Sequence, residues 1–314
     1  MRAIAVSEYG ATPSLVDLPR PEPGPGDILV KIVAAGLNPV DWKIADGMLK
    51  DSVDAAFPLV LGSDGAGVVE ETGPDVTRFR VGEQVYGEFR MVERGLGSYA
   101  EYAIARERSP LARMPEGMIY TQAAAVPTAT SSAYNLVREA DVDAGQTVLI
   151  VGATGGVGQS AVQFAANQGA KVIATARPDM ADVLRDLGAD EIVDHTKGDL
   201  NAQVLSAHSD GIDAVLDMAS DRAATERIAS LLRPGGTYLS TNFALNPDAM
   251  EAQELRGVNF QNAPSGEVLE EIGVLIDAGK VRVRVQEEVP LGEAPDALAR
   301  SRSGGARGKT VIRV

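Results

Sequence analysis

The chain has 314 residues, 44 acidic against 29 basic side chains for a formal charge of −15, and 45% hydrophobic residues. That length exceeds one ordinary domain and suffices for two, and the acidic balance argues against nucleic acid or an anionic membrane as partner. With no cysteine and only two histidines, His195 and His208, the sequence has no disulfide, no thiolate nucleophile and no ligand set for a zinc site built on His and Cys.

No apolar run approaches the roughly 18 residues that mark a membrane span. The N-terminus, MRAIAVSEYG, reads as a strand without a signal-peptide pattern, so a cytoplasmic protein is expected. Residues 1–120 carry short β-like runs, among them Ile28–Ala34, Ala66–Glu71 and Tyr99–Ala105. Glycines at 62, 65, 67, 73, 82 and 87 interrupt them at close spacing, as in a small, strongly curved β-barrel.

From about residue 121 the pattern becomes alternating helix and strand. Strands are expected at 147–151, 171–176, 190–193, 212–217, 235–240 and 257–261, with helices at 155–168, 179–187 and 221–232 among those between them. Six strands in this order suit an α/β fold, a doubly wound parallel sheet. The last fifty residues change style again: a helix at Ser265–Ala278, a strand at Val281–Val289, a helix at Ala294–Ser301 and a closing strand at Lys309–Val314. The expected division is therefore a β-barrel domain at 1–120, an α/β domain at 121–262, and a return to the first domain at 263–314.

Residues 148–158, VLIVGATGGVG, hold the most informative motif: a buried strand, a glycine turn and a helix start in unbroken succession. Gly155, Gly156, Val157 and Gly158 bring free backbone N–H groups and the positive helix end to one point, where a dinucleotide pyrophosphate fits. Aligned to G-x-G-x-x-G, the first position is Ala153. The strand that follows, 171–176, completes a βαβ unit of about 30 residues, the context the motif requires. NAD sites usually place a carboxylate at the end of that second strand; here stand Thr175, Ala176 and Arg177, and a guanidinium matches a 2′-phosphate. NADP(H) is the expected cofactor, with a solvated loop arginine as the alternative reading of Arg177.

Taken together and in order, NPVDWK (38–43), LGSDGAGVVEETG (61–73), GEQVYG (82–87), GSYAEY (97–102), AAAVPTATSSAY (123–134), VLIVGATGGVGQSAVQFA (148–165), LGADEIVDH (187–195), LLRPGGTYLS (231–240) and GKTVIRV (308–314) make the chain resemble the zinc-independent quinone oxidoreductase and enone reductase branch of the medium-chain dehydrogenase/reductase superfamily. The resemblance implies a Rossmann domain joined to a GroES-like barrel, and NADPH-dependent hydride transfer to quinones or α,β-unsaturated carbonyl compounds. Zinc-containing relatives place a metal-binding cysteine in the region that here reads Gly36 to Asp41, and Gly-His-Glu where this chain has Gly62, Ser63 and Asp64. An electron-poor acceptor takes hydride without the Lewis acid that alcohol oxidation needs.

The resemblance also implies roles for single residues. Asn38 and Thr128 lie beside the nicotinamide. Lys43 stabilises the developing oxyanion, and Asp41 orients Lys43 or closes a cofactor hydrogen bond; the alternative is a surface ion pair between Asp41 and Lys43. His195 stacks near the adenosine, contacts the 2′-phosphate, or is a solvated loop residue. Thr241, Asn242 and Phe243 meet the nicotinamide half, or Phe243 lines the substrate pocket. Gly308 and Lys309 approach the cofactor, although a compact closing strand also explains Gly308. Tyr99 and Tyr102 are candidate proton donors or packing residues, so the proton donor stays unassigned and solvent can serve. A homodimer paired through 257–261 is expected. The competing readings are a dedicated 2-alkenal or enoyl-thioester reductase and a non-catalytic NADPH-binding sensor or structural protein.

Overall fold

The structure, a computed structural model, describes residues 1–304 and 307–314. Its backbone falls into two compact units. The first comprises Met1–Ser131, Pro264–Gly279 and Val283–Val314, and the second Ser132–Ala263 with Lys280–Arg282. No helix among the described residues is long and apolar enough to cross a membrane.

In chain order the first unit contains β1 (Arg2–Val6), β2 (Ser14–Asp17), β3 (Asp27–Gly36), α1 (Pro39–Ala45), β4 (Leu59–Val60), β5 (Asp64–Thr72), β6 (Gln84–Glu88), β7 (Tyr102–Arg106), β8 (Leu111–Arg113) and α2 (Tyr120–Ala124). β3 is the spine. It pairs antiparallel with β5 on one side and β7 on the other, and two register shifts against β5, at Leu29/Val30 and Ile32/Ala34, bend it. Its burial explains its apolar content: eight of the ten residues of DILVKIVAAG are buried. The glycines of β5 admit close neighbours, since a Cβ on Gly67 would stand 2.1 Å from the Lys31 carbonyl oxygen.

α3 (Pro127–Ala140) carries the chain across the unit boundary, which falls at Ser131/Ser132, later than the 120/121 expected from sequence. The reason is local. α2 packs on β3 and β5, and Thr128 bonds to Asp64 at the start of β5.

The second unit follows as β9 (Thr147–Val151), α4 (Gly156–Asn167), β10 (Lys171–Thr175), α5 (Ala181–Asp186), β11 (Glu191–Val193), α6 (Leu200–Ala207), β12 (Ile212–Asp217), α7 (Arg222–Ala229), β13 (Leu232–Ser240), α8 (Pro247–Glu251) and β14 (Arg256–Asn259). Its six strands are all parallel, in the order β11-β10-β9-β12-β13-β14. This is the doubly wound order, with the direction of winding reversing beside β9. The near-continuous burial of β9, β10 and β12 is that of strands covered on both faces.

Two expected boundaries move. The helix expected at 221–232 ends at Ala229, because Leu232 already pairs with Ile212 at the start of β13. The helix expected at 179–187 begins with a 3₁₀ turn at Pro178–Met180 before α5.

The chain then returns to the first unit as α9 (Gly266–Asp277), β15 (Val285–Pro290), α10 (Ala294–Arg302) and β16 (Lys309–Arg313). β16 pairs antiparallel with β3 and parallel with β15. The strand expected from Val281 starts only at Val285. Lys280–Arg282 is held by the second unit: the Gln163 amide bonds both N–H and C=O of Arg282, and Asn167 donates to the Lys280 carbonyl.

Candidate functional site

In the second unit, parallel strands place their C-terminal ends on one edge of the sheet, and the expected cofactor residues gather there. β9 ends at Val151 and the chain turns through Gly152, whose φ of +81° favours glycine. The left-handed glycine of the turn is therefore Gly152, one residue before the Ala153 to which the fingerprint aligns. Thr175 at the end of β10 holds this turn, accepting the Gly152 N–H at 3.1 Å and donating to the Ile150 carbonyl.

Gly155 is the N-cap of α4 and offers no side-chain acceptor, which leaves the first N–H groups of a 12-residue helix facing outward. A Cβ on Gly155 would come no closer than 3.6 Å to other atoms, so the approach is open. Gly158 does the opposite work. A Cβ there would stand 2.3 Å from the Gly152 carbonyl oxygen, so only glycine lets the helix close onto the turn. Gly156 and Val157 lie between them in the first turn, half-exposed. The cradle fits a dinucleotide pyrophosphate.

Ala176 is buried and donates its N–H to Val193, and the Arg177 side chain that follows is exposed, its guanidinium with no partner among the described residues. His195 is exposed two residues past β11. Beyond β13, Thr241 donates its N–H to the Asp217 carbonyl, and the exposed Asn242 bonds Ser240 and Ser220. Phe243 is 59% exposed with φ +56°. Sequence reasoning missed Asp217, fully buried at the end of β12, which takes the Tyr238 hydroxyl and the N–H groups of Ala219 and Ser220.

In the first unit a buried polar cluster forms where β3 ends. Gly36 admits α2, for a Cβ there would lie 2.1 Å from the Ala124 carbonyl oxygen. Asn38 caps α1, Pro39 opens it, and the carboxylate of Asp41 accepts the Asn38 N–H at 2.8 Å. Asp41 also accepts the N–H and the hydroxyl of Ser63, each at 3.0 Å, and the Tyr99 hydroxyl at 2.6 Å. Burial nevertheless pushes the Asp41 carboxyl up to about 6 and the Tyr99 phenol well above its usual range. Asp64, fully buried, accepts the N–H and the hydroxyl of Thr128.

Lys309, 6% exposed, points its ammonium inward. It bonds the Leu37 carbonyl at 2.9 Å and Asn38 Oδ1 at 2.5 Å, and lies 3.9 Å from Asp64. Burial lowers its pKa, opposed by Asp64 and Asp41. Gly308 before it has φ +129°. The structure thus brings Asn38, Asp41, Thr128 and Lys309 together with Ser63, Asp64 and Tyr99. It separates Lys43 from Asp41. Lys43 is exposed, its Nζ 5.6 Å from the centre of the Trp42 ring, while Asp41 turns inward. They form neither the orienting contact nor the surface ion pair that the sequence allowed.

This donor set does not fit zinc. The carboxylates of Asp41 and Asp64 are engaged by N–H and O–H donors, their neighbouring cation is an ammonium, and no group of three or more His, Cys, Asp or Glu among the described residues could hold a metal ion.

A GroES-like barrel and a dinucleotide-type Rossmann sheet on one chain define a two-domain oxidoreductase. Residues 24–116 match the alcohol dehydrogenase GroES-like domain, and residues 187–312 the zinc-binding dehydrogenase family. The chain is 31% identical to the mitochondrial NAD(P)H oxidoreductase RTN4IP1 of Danio rerio, over 92% of this chain and 84% of that one. It is 30% identical to the chloroplastic NADPH-dependent alkenal/one oxidoreductase of Arabidopsis thaliana, over 99% and 79%. The quinone oxidoreductase of Coxiella burnetii superposes with a TM-score of 0.88 at 30% identity, covering 100% of this chain and 99% of the other. The protein belongs to the medium-chain dehydrogenase/reductase superfamily and is an oxidoreductase of its quinone and alkenal reductase group.

Proposed function

We propose that the protein is an NADPH-dependent, zinc-independent reductase of quinones or α,β-unsaturated carbonyl compounds. The observation that carries this reading is the saturated cluster around Asp41, Asp64 and Lys309. It occupies the part of the barrel where alcohol-oxidising relatives hold their metal, and its two carboxylates are spent on accepting hydrogen bonds. Polarising an alcohol without a Lewis acid is difficult, whereas an electron-poor acceptor needs only a positioned hydride donor and stabilisation of the developing oxyanion.

Reduced nicotinamide, when bound, supplies that hydride. Gly155, Gly156, Val157 and Gly158 hold the pyrophosphate on the start of α4, and the unpaired Arg177 takes the 2′-phosphate, where a carboxylate would repel it. Ala176 lets the chain pass close at that point. Thr241, Asn242, Phe243 and His195 border the same sheet edge and complete the cofactor contacts. Asn38 and Thr128 orient the reacting ring, Lys43 stabilises the oxyanion, and solvent delivers the proton. The relative named as NADPH-dependent supports the cofactor choice. The protein acts in the cytoplasm as a homodimer joined along β14, an edge strand whose outer backbone groups need cover.

Steady-state oxidation of NADPH with 1,4-benzoquinone, 9,10-phenanthrenequinone and a short enone tests the proposal. Turnover with at least one acceptor is expected. Tight NADPH binding without turnover on any of the three would instead make the chain a cofactor-binding sensor.

A further inference from the structure

The Asn38 side chain is 3% exposed, and its amide nitrogen is buried without a hydrogen-bond partner. Its oxygen faces the Lys309 ammonium at 2.5 Å. An ammonium only donates, so this contact fixes which end of the amide is which; the reversed amide would set N–H against N–H. A buried donor left unmade is costly, and the cost is maintained here by a buried charge.

Lys309 is itself held firmly. β16 pairs with β3 so that Val311 lies opposite Gly36, and Leu37 donates its N–H to Thr310. That register delivers the Lys309 side chain to the Leu37 carbonyl and to Asn38. Behind it stands the Asp64 carboxylate, anchored by Thr128. The chain Thr128, Asp64, Lys309, Asn38 therefore ends in one free donor.

We propose that Lys309 is a positioning residue: its ammonium pins Oδ1 of Asn38 so that the amide presents Nδ2 as a fixed donor to a carbonyl, carboxamide or enolate oxygen of the bound cofactor or substrate. This rests on the reading that Asn38 stands beside the reacting ring. It assigns Lys309 no contact with the cofactor, in contrast to the role expected from sequence. The site then selects oxygen acceptors at this point and disfavours groups that offer N–H.

A double-mutant cycle tests it, with kcat/KM for 1,4-benzoquinone at saturating NADPH as the readout. Lys309→Met and Asn38→Ala are each expected to lower it about tenfold, and the double variant no further, because both remove the same oriented donor. Losses that multiply in the double variant, or Lys309→Met at the wild-type rate, would overturn the proposal. If Lys309→Met does not fold, Lys309→Gln, neutral and able to flip, replaces it with the same expectation. If the wild-type protein reduces no quinone or enone, the functional reading fails while the positioning role stays testable without ligand. The Asn38 side-chain amide, identified in a ¹⁵N spectrum by its loss in Asn38→Ala, is expected as one sharp pair of signals that broadens or doubles in the Lys309 variant. An unchanged pair would overturn it.

Discussion

The Tyr99 hydroxyl donates to Oδ2 of Asp41 across 2.6 Å, and both side chains are buried, at 0% and 1% exposure. Four donors surround this carboxylate, yet desolvation outweighs them and the carboxyl titrates near 6 instead of its ordinary 3.8. The native state therefore keeps a proton that the unfolded chain has already lost between those two values. Stability contributed by this group is greatest below pH 3.8 and falls as pH rises to about 6. A shift of about two units corresponds to about 3 kcal/mol. Urea unfolding of wild type and Asp41→Asn across this window should show the wild type losing stability relative to the variant as pH increases, with a constant difference above pH about 7. Parallel pH profiles would contradict it.

The sequence singled out Asp41, but most of what it touches was not legible there. Asn38, three residues away, is within reach of local reasoning, as is the capping geometry of α1. Ser63 and Tyr99 lie 22 and 58 positions from Asp41, and Lys309 lies 271 from Asn38, brought together only by the tertiary fold. The parallel sheet was readable because its central strands β9, β10 and β12 are buried, largely apolar runs, each followed by a turn and a helix, a local pattern. The strand start expected at Val281 moves to Val285 for the converse reason, with Lys280–Arg282 left outside the strand. Its apolar alternation is genuine, but the Gln163 and Asn167 amides claim its backbone. Thr175 was noted only for what it is not, a carboxylate, and its grip on Gly152 has no sequence signature.

Arg177 is exposed beyond β10 and pairs with no described residue. Replacing it with Asp removes a guanidinium from the 2′-phosphate and sets a like charge against it. A charge-assisted hydrogen bond contributes about 1.5–3 kcal/mol, so Arg177→Asp should weaken NADPH binding by about 10- to 100-fold and leave NADH binding nearly unchanged. Calorimetric titration with the two cofactors measures the ratio directly. An unaltered preference would place the 2′-phosphate elsewhere.

Because Asp41 and Asp64 are engaged by donors, the purified protein should carry no stoichiometric zinc, and prolonged dialysis against a chelator should leave its quinone reductase rate unchanged. Elemental analysis beside the rate assay checks both. Zinc at one equivalent per chain, lost together with activity, would require the Asp41, Ser63 and Asp64 cluster to rearrange around a metal.

Lys43 differs from these buried groups in facing solvent, its ammonium over the Trp42 ring. Its fixed charge is screened until substrate closes over it, so its contribution is smaller than that of an enclosed oxyanion donor, for which losses of about 100- to 1,000-fold are typical. Lys43→Ala should lower kcat for quinone or enone about tenfold while the NADPH dissociation constant stays within about twofold, because the charge is needed only as the oxyanion forms. Lys43→Arg should retain most of the rate, since it keeps the charge on a stem of similar reach. Measuring kcat and cofactor affinity separately distinguishes this from general loss of structure. A full rate in Lys43→Ala would move the oxyanion contact to the oriented amide of Asn38, leaving Lys43 a solvated helix residue.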